Sequence, residues 1–174
     1  MVKKFLNLKN RMIGEGKPVF IIAEAGVNHN NNLSLAFKMI NIAKKSGADA
    51  IKFQTFSVDK TQLKNSTKPN YQKNIDKNYY EIIKSLETNL DDQKKIFKYC
   101  KKKNILFLST PYDLDSADFL FNLGVKAFKI SASDFTNHLL VEHIAKKGLP
   151  IFISTGLSSS KEVDSTINLL KKHK

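Results

Sequence analysis

Two lysines, Lys52 and Lys129, each stand near the end of a short apolar run, Ala48 to Phe53 and Ala127 to Ile130. Three further runs finish in side chains that could share their chemistry. Val19 to Ala23 leads into Glu24, Ile105 to Leu108 into Ser109 and Thr110, and Ile151 to Ile153 into Ser154, Thr155 and Gly156. Gln54 follows Lys52, and Ser131, Ser133 and Asp134 follow Lys129. An ammonium is costly to bury without a counter-charge, so two lysines aimed into one cavity call for an anion. A phosphate and a carboxylate on one small ligand would serve, with the hydroxyls as additional donors. Glu24 and Asp134 add two carboxylates to the set. Each residue alone has an innocent reading. A lysine at a strand end often reaches solvent, Ser and Thr there form turns and caps, and Glu24 could be a paired structural carboxylate. His29, beside Asn28, reads as a hydrogen-bonded loop residue rather than a metal ligand. The coincidence of five strand ends carries the argument.

Those ends must be brought together by the elements between them. The runs are short, apolar and β-branched, as buried parallel strands are. Amphipathic segments with helical spacing separate them. Leu33, Phe37, Ile40 and Ala43 form one inner stripe that Gly47 ends; Phe119, Leu120 and Leu123 form another that stops at Gly124. Helical pattern covers Tyr79 to Leu86 and restarts after Thr88 and Asn89 through Ile96, Phe97 and Cys100. Leu139, Leu140, Ile144 and Ala145 pack the next helix, closed by Gly148. Ser159 with Glu162 reads as a capping box, with Val163, Ile167 and Leu170 facing inward. The polar stretch Ser57 to Lys77 reads as a long loop across the mouth. Residues 1–18, with Gly14, Gly16 and Pro18, read as a hairpin ahead of the α/β unit, which takes in residues 19–174. Strand and helix in alternation mean a parallel sheet with helical crossovers. A doubly wound sheet and a closed barrel both satisfy that pattern, although no G-x-G-x-x-G follows the first strand. In a barrel, all five strand ends would meet around one mouth. The helix N-terminus after Ser154-Thr155-Gly156 is expected to add free N–H groups suited to phosphate.

Composition narrows the class. The 174 residues hold 41% hydrophobic and 26% charged side chains, the profile of one soluble domain. No stretch approaches the roughly 20 apolar residues of a membrane span, and the N-terminus lacks the apolar core of a secretory signal. With Cys100 as its one cysteine the chain can form no internal disulfide, and a cytoplasmic location is expected. The formal net charge of +13 is almost all lysine, with Arg11 the one arginine. Base readout favours the bidentate guanidinium, so no nucleic-acid or membrane partner is expected. The charge would still steer small anions toward the chain.

Five blocks together resemble the N-acetylneuraminate (sialic acid) synthase family, which includes legionaminic and pseudaminic acid synthases. They are Ile21-Ile22-Ala23-Glu24-Ala25-Gly26-Val27-Asn28-His29, Gly47-Ala48-Asp49-Ala50-Ile51-Lys52-Phe53-Gln54-Thr55-Phe56, Leu108-Ser109-Thr110-Pro111-Tyr112-Asp113, Phe128-Lys129-Ile130 and Ile153-Ser154-Thr155-Gly156. The resemblance implies a TIM (β/α)8-type barrel, ending here after about the fifth β/α unit, with the family's C-terminal antifreeze-like domain absent. It implies condensation of phosphoenolpyruvate with an N-acetylated amino sugar, such as N-acetylmannosamine, and water, giving a nonulosonic acid and phosphate. Lys52, Thr110, Lys129 and Ser154 would hold phosphoenolpyruvate, with Gln54 supporting that cradle. Glu24 would contact the sugar and the reacting centre, and Asp134 would transfer a proton or position water. A divalent ion, Mn²⁺ or Mg²⁺, would polarise the aldehyde, through histidines that the family carries beyond the part matched here. The family is homodimeric.

The chain departs from the pattern at two positions. Ala132 stands where the family usually has serine, so one phosphate-side hydroxyl is missing or supplied by Ser131 or Ser133. Asn31 stands where a glycine is common, and asparagine tolerates the left-handed turn. Activity of the chain alone is expected to be impaired. Two alternatives stay open: a non-catalytic subunit that binds anions or a complementary C-terminal chain, and a Schiff-base aldolase using Lys129 or Lys52.

Overall fold

The computed structural model describes residues 5–8, 11–68 and 77–173. Strands β1 (Phe5–Leu8) and β2 (Arg11–Gly14) pair antiparallel as a hairpin. Then β3 (Ile22–Gly26), α1 (Leu33–Lys45) and β4 (Ala50–Thr55) form the first parallel unit. The segment after β4 holds a short helix, α2 (Val58–Thr61), then α3 (Tyr79–Leu86) and α4 (Leu90–Lys102). The stretch read as one long loop therefore contains a helical turn at its start, and its residues 69–76 lie outside the described residues. Alternation resumes with β5 (Leu106–Pro111), α5 (Leu114–Leu123), β6 (Phe128–Ile130), α6 (His138–Ala145), β7 (Ile151–Ile153) and α7 (Ser160–Lys171).

All pairing after the hairpin is parallel and follows chain order. The ladders join β3 to β4 to β5 and β6 to β7, and β5 runs beside β6. Side chains alternate between two apolar layers, as period-two strands require. Ile51, Phe53, Phe107, Phe128 and Ile130 face the helices and pack on Ala36, Ile40, Ile96, Leu120 and Ile144. The other face gathers Ala50, Leu106, Leu108 and Ala127 with Leu6, Leu8 and Ile13 of the hairpin. The hairpin thus floors the concave face. Arg11 pins it there through an ion pair to Asp49 at 2.8 Å, and Asp49 also accepts from the Ile21 amide at 2.8 Å.

Local chemistry explains the helix ends. Asn32, Asn78, Asn89, Asp113, Asn137 and Ser159 each accept a backbone N–H at the start of a helix. The Ser159–Glu162 box forms as expected, and Gly124 closes α5 in the left-handed region at φ 88°. Asn30 and Asn31 both take positive φ, 48° and 56°, so the turn tolerates Asn31.

Three packing expectations need correction. Val19 and Ile21 are largely exposed, and the first parallel strand begins at Ile22, because only there does the backbone enter the ladder with β4. Leu139 is exposed at the first turn of α6 while Val141 takes the core position. In α7, Ile167 is exposed and the fully buried side chain is Thr166, whose hydroxyl donates to Phe135 O at 3.2 Å. Among the described residues no helix is long and apolar enough to cross a membrane.

Candidate active site

The inner face of the strands turns polar toward their C-terminal ends. In register, Glu24 of β3 sits beside Lys52 of β4, which sits beside Leu108 of β5; one step further Gln54 lies beside Thr110. Lys52 is 9% exposed, and its ammonium lies 2.7 Å from Glu24 Oε2 and 3.4 Å from Thr110 Oγ1. The β-bulge at Glu24 and Gly26 turns this edge. Gly26 has φ 53°, and a Cβ there would meet Glu24 Oε1 at 3.5 Å and Gln54 Nε2 at 3.8 Å. The Glu24 carboxylate and the Gln54 amide thus both border Gly26.

On β6, Lys129 shares the inner face with Ala127. Its half-buried ammonium donates to Ile130 O at 2.6 Å and to Ser154 Oγ at 2.5 Å. Burial lowers its pKa first and the Lys52 charge lowers it further, with the Glu24 charge opposing. The two lysines stand on the same inner face of the strands, near enough for the Lys52 charge to weigh on Lys129.

The remaining sequence candidates fall into two further groups. Ser131 and Ser133 hydrogen-bond to Asp134 Oδ2, at 2.5 and 3.1 Å. Ser109, adjacent to Thr110 in sequence, points to the other face: it lies 2.7 Å from Thr55 Oγ1. Thr55 donates to Gln93 Oε1 at 3.3 Å, and Gln93 Nε2 donates to Gln54 O at 3.0 Å. This buried network ties the ends of β4 and β5 to α4. The helix that follows Ser154-Thr155-Gly156 begins at Ser160 behind the Ser159–Glu162 box, which uses the N–H groups of Ser159 and Glu162. Ser154 contributes its hydroxyl alone.

The sequence reading missed Tyr112. It follows Pro111 at the end of β5 and packs edge-on against Phe56 at 6.1 Å. Burial, with the Asp134 charge next, pushes its phenol up to about 12, partly offset by Ser131. An aromatic residue directly after a strand-end Ser-Thr-Pro was the available signal. Tyr112 also borders a second cavity of about 320 Å³ lined by Lys60, Asp113, Asp115, Asn137 and Leu139. The start of the β4–α3 segment is fastened here: Lys60 pairs with Asp115, and the Ser57 amide donates to Asp113 Oδ2 at 3.0 Å.

Among the described residues no group of three or more His, Cys, Asp or Glu side chains is arranged to hold a metal ion. His29 is buried against Phe53, and its pKa is lowered by burial. His143 is engaged with Asp118 at 2.8 Å. The described residues do not fit the divalent ion.

Comparison with known proteins decides the lineage. The model of the NeuB family matches residues 39–174. The chain belongs to the NeuB family. It is 42% identical over 174 residues to the N,N'-diacetyllegionaminic acid synthase of Legionella pneumophila, covering 98% of this chain and 48% of that protein. It superposes on the N-acetylneuraminic acid synthetase of Leptospira borgpetersenii, solved in complex with citrate, with a TM-score of 0.85 and 34% identity, over 97% of this chain and 55% of the other. A truncated 3-deoxy-D-arabino-heptulosonate 7-phosphate synthase from Thermotoga maritima, 10% identical, shares the fold alone, with a TM-score of 0.68 over 97% of this chain and 52% of its own. The α/β architecture is thus that of the TIM-barrel NeuB proteins, and the chain spans about half the length of the curated relatives it matches.

Proposed function

We propose that the inner-face cluster is the phosphoenolpyruvate half of a sugar-acid synthase site. Lys52, Lys129, Thr110 and Ser154 take the phosphate and carboxylate, and Glu24, Gln54 and Asp134 face the amino sugar. The reaction is addition of phosphoenolpyruvate C3 to the aldehyde carbon of an open-chain N-acetylated amino sugar, N-acetylmannosamine or a relative. Water adds at C2 and phosphate departs, giving a nonulosonic acid. The observation that supports this reading is that two lysines share the inner face of the strands and, among the described residues, Glu24 is the one carboxylate paired with either. An uncompensated ammonium in a half-buried cavity favours a bound anion. In this reading Glu24 and Asp134 hold or move protons at the sugar oxygen and the attacking water. When bound in the family's complete enzymes, a divalent ion supplies Lewis-acid polarisation of the aldehyde. The chain is proposed to bind phosphoenolpyruvate through these residues.

Calorimetric titration with phosphoenolpyruvate tests the binding half. Phosphate release in the presence of N-acetylated amino sugars and Mn²⁺ or Mg²⁺ tests the chemistry. Absence of binding by the folded chain would refute the reading. The lowered pKa of Lys129 also favours a second reading, because a Schiff-base aldolase needs a neutral amine. Borohydride trapping of a pyruvate adduct on Lys129 would select that reading over the synthase.

A further inference from the structure

The buried stripe of α4 is apolar except at its start. It consists of Gln93, Ile96 and Cys100, and Gln93 is 2% exposed. A buried amide destabilises the fold unless both of its ends are bonded. Gln93 Oε1 accepts from Thr55 Oγ1 at 3.3 Å, and Nε2 donates to Gln54 O at 3.0 Å. A backbone carbonyl can only accept, which fixes the orientation of the amide. Thr55 has one hydroxyl hydrogen and gives it to Gln93, so Ser109 Oγ, 2.7 Å away, is the donor to Thr55. The bonds therefore run in one direction, from Ser109 through Thr55 and Gln93 to Gln54 O. Each strand end gives one residue to this chain and turns the adjacent one to the site. Thr55 and Ser109 face α4, whereas Gln54 and Thr110 pair in register on the other face, where Thr110 Oγ1 lies 3.4 Å from the Lys52 ammonium. The β3 ladder stops at Gly26, opposite Phe53, one residue short of Gln54.

We infer that Gln93 is a positioning residue which, through Thr55, Ser109 and Gln54 O, fixes the ends of β4 and β5 that present Gln54 and Thr110 to the ligand. It stands on the helix-facing side of the strands and reaches the site only through their backbone. A satisfied chain of hydrogen bonds in a buried setting is stiff, because each bond polarises the next and none can be exchanged for water. An apolar side chain at position 93 would fill the same space and leave the Gln54 carbonyl and the Thr55 hydroxyl without these partners. The sheet would persist through its ladder, and the freedom gained would fall on the last residues of the two strands, where Thr110 meets Lys52. That Thr110 and Gln54 serve phosphoenolpyruvate rests on the proposed function; the positioning of the strand ends does not.

The test labels the chain with [13Cγ2]threonine and identifies the Thr110 methyl as the resonance lost in Thr110→Ser. Thr110 and Gln93 lie on opposite sides of the strands, so a shift of that methyl reports movement of the strand end. In Gln93→Leu it is expected to move by more than a linewidth. The near-isosteric Thr55→Val cuts the chain of bonds at its middle and is expected to move it as well. Ile96→Val trims the core of the same helix, leaves those bonds intact and is expected to leave the methyl in place. Circular dichroism establishes that each variant is folded, and Thr55→Val carries the test where Gln93→Leu does not fold. Phosphoenolpyruvate affinity is expected to fall about three- to tenfold in both network variants and to change less than about twofold in Ile96→Val. A Thr110 methyl unmoved in a folded network variant would overturn the inference, as would an unchanged affinity where the methyl has moved. An equal shift or an equal loss in Ile96→Val would overturn it too, by reducing the effect to general stability. If the wild-type chain takes up no phosphoenolpyruvate, the proposed function fails, and the methyl still decides the positioning.

Discussion

On the β3–β5 side of the mouth, Lys52 is nearly buried and sits 2.7 Å from a carboxylate, Glu24. On the β6–β7 side, Lys129 is less buried and touches only neutral acceptors, Ile130 O and Ser154 Oγ. The same side chain at the same level of one fold thus occupies two electrostatic states. Lys52 has its counter-charge within the protein, whereas the pKa of Lys129 is lowered by burial and by Lys52. The difference teaches that the two lysines are not interchangeable as anion ligands. Lys129 has the greater unmet demand for negative charge, and Lys52 contributes fully only when a ligand competes with Glu24.

Three substitutions test that comparison, in descending order of effect. Lys129→Ala removes the less compensated cation and is expected to weaken phosphoenolpyruvate binding by roughly 10- to 100-fold, about 1.5–3 kcal/mol, read by calorimetry. Gln93→Leu attacks the support rather than the charges. It leaves Gln54 O without its side-chain donor and Thr55 without one acceptor, and is expected to cost about 1–3 kcal/mol of stability in urea unfolding. Glu24→Gln releases Lys52 from its partner and is expected to tighten phosphoenolpyruvate binding. The gain stays within about fivefold, because the Glu24 side chain is 56% exposed and water already screens the pair. A loss of affinity in Glu24→Gln would show that the carboxylate organises the cradle instead of competing with the ligand.

Much of this arrangement was legible in the residues. Parallel strands announced themselves as short β-branched runs, and Asn89, Gly124 and the Ser159–Glu162 pair marked helix ends because capping is local chemistry. What periodicity could not supply was the facing of strands buried on both sides. Ser109 and Thr110 are adjacent and equally buried, yet one braces α4 and the other meets Lys52. Only the register with β4 separates them. Leu139 and Ile167 were misassigned because the apolar stripe of a short helix tolerates a rotation of one position, and Thr166 is inward because Phe135 O supplies its acceptor. Ser131, Ser133 and Asp134 were visible as polar residues after a strand; that they bond to one another, while Lys129 turns to Ile130 O and Ser154, could not be read from their order.

The most direct test follows the Lys129 ammonium itself, by NMR titration of [13Cε]lysine with Lys129→Arg for assignment. In the free chain Lys129 is expected to titrate below the ordinary lysine value of 10.5, since burial and Lys52 both disfavour its charge. An anion prefers the ammonium, so saturating phosphoenolpyruvate should raise that pKa. By linkage, affinity should be greatest below the free-chain pKa and fall as pH rises through it. A Lys129 resonance that titrates at the ordinary value and ignores phosphoenolpyruvate would contradict the account, because the two lysines would then share no anion.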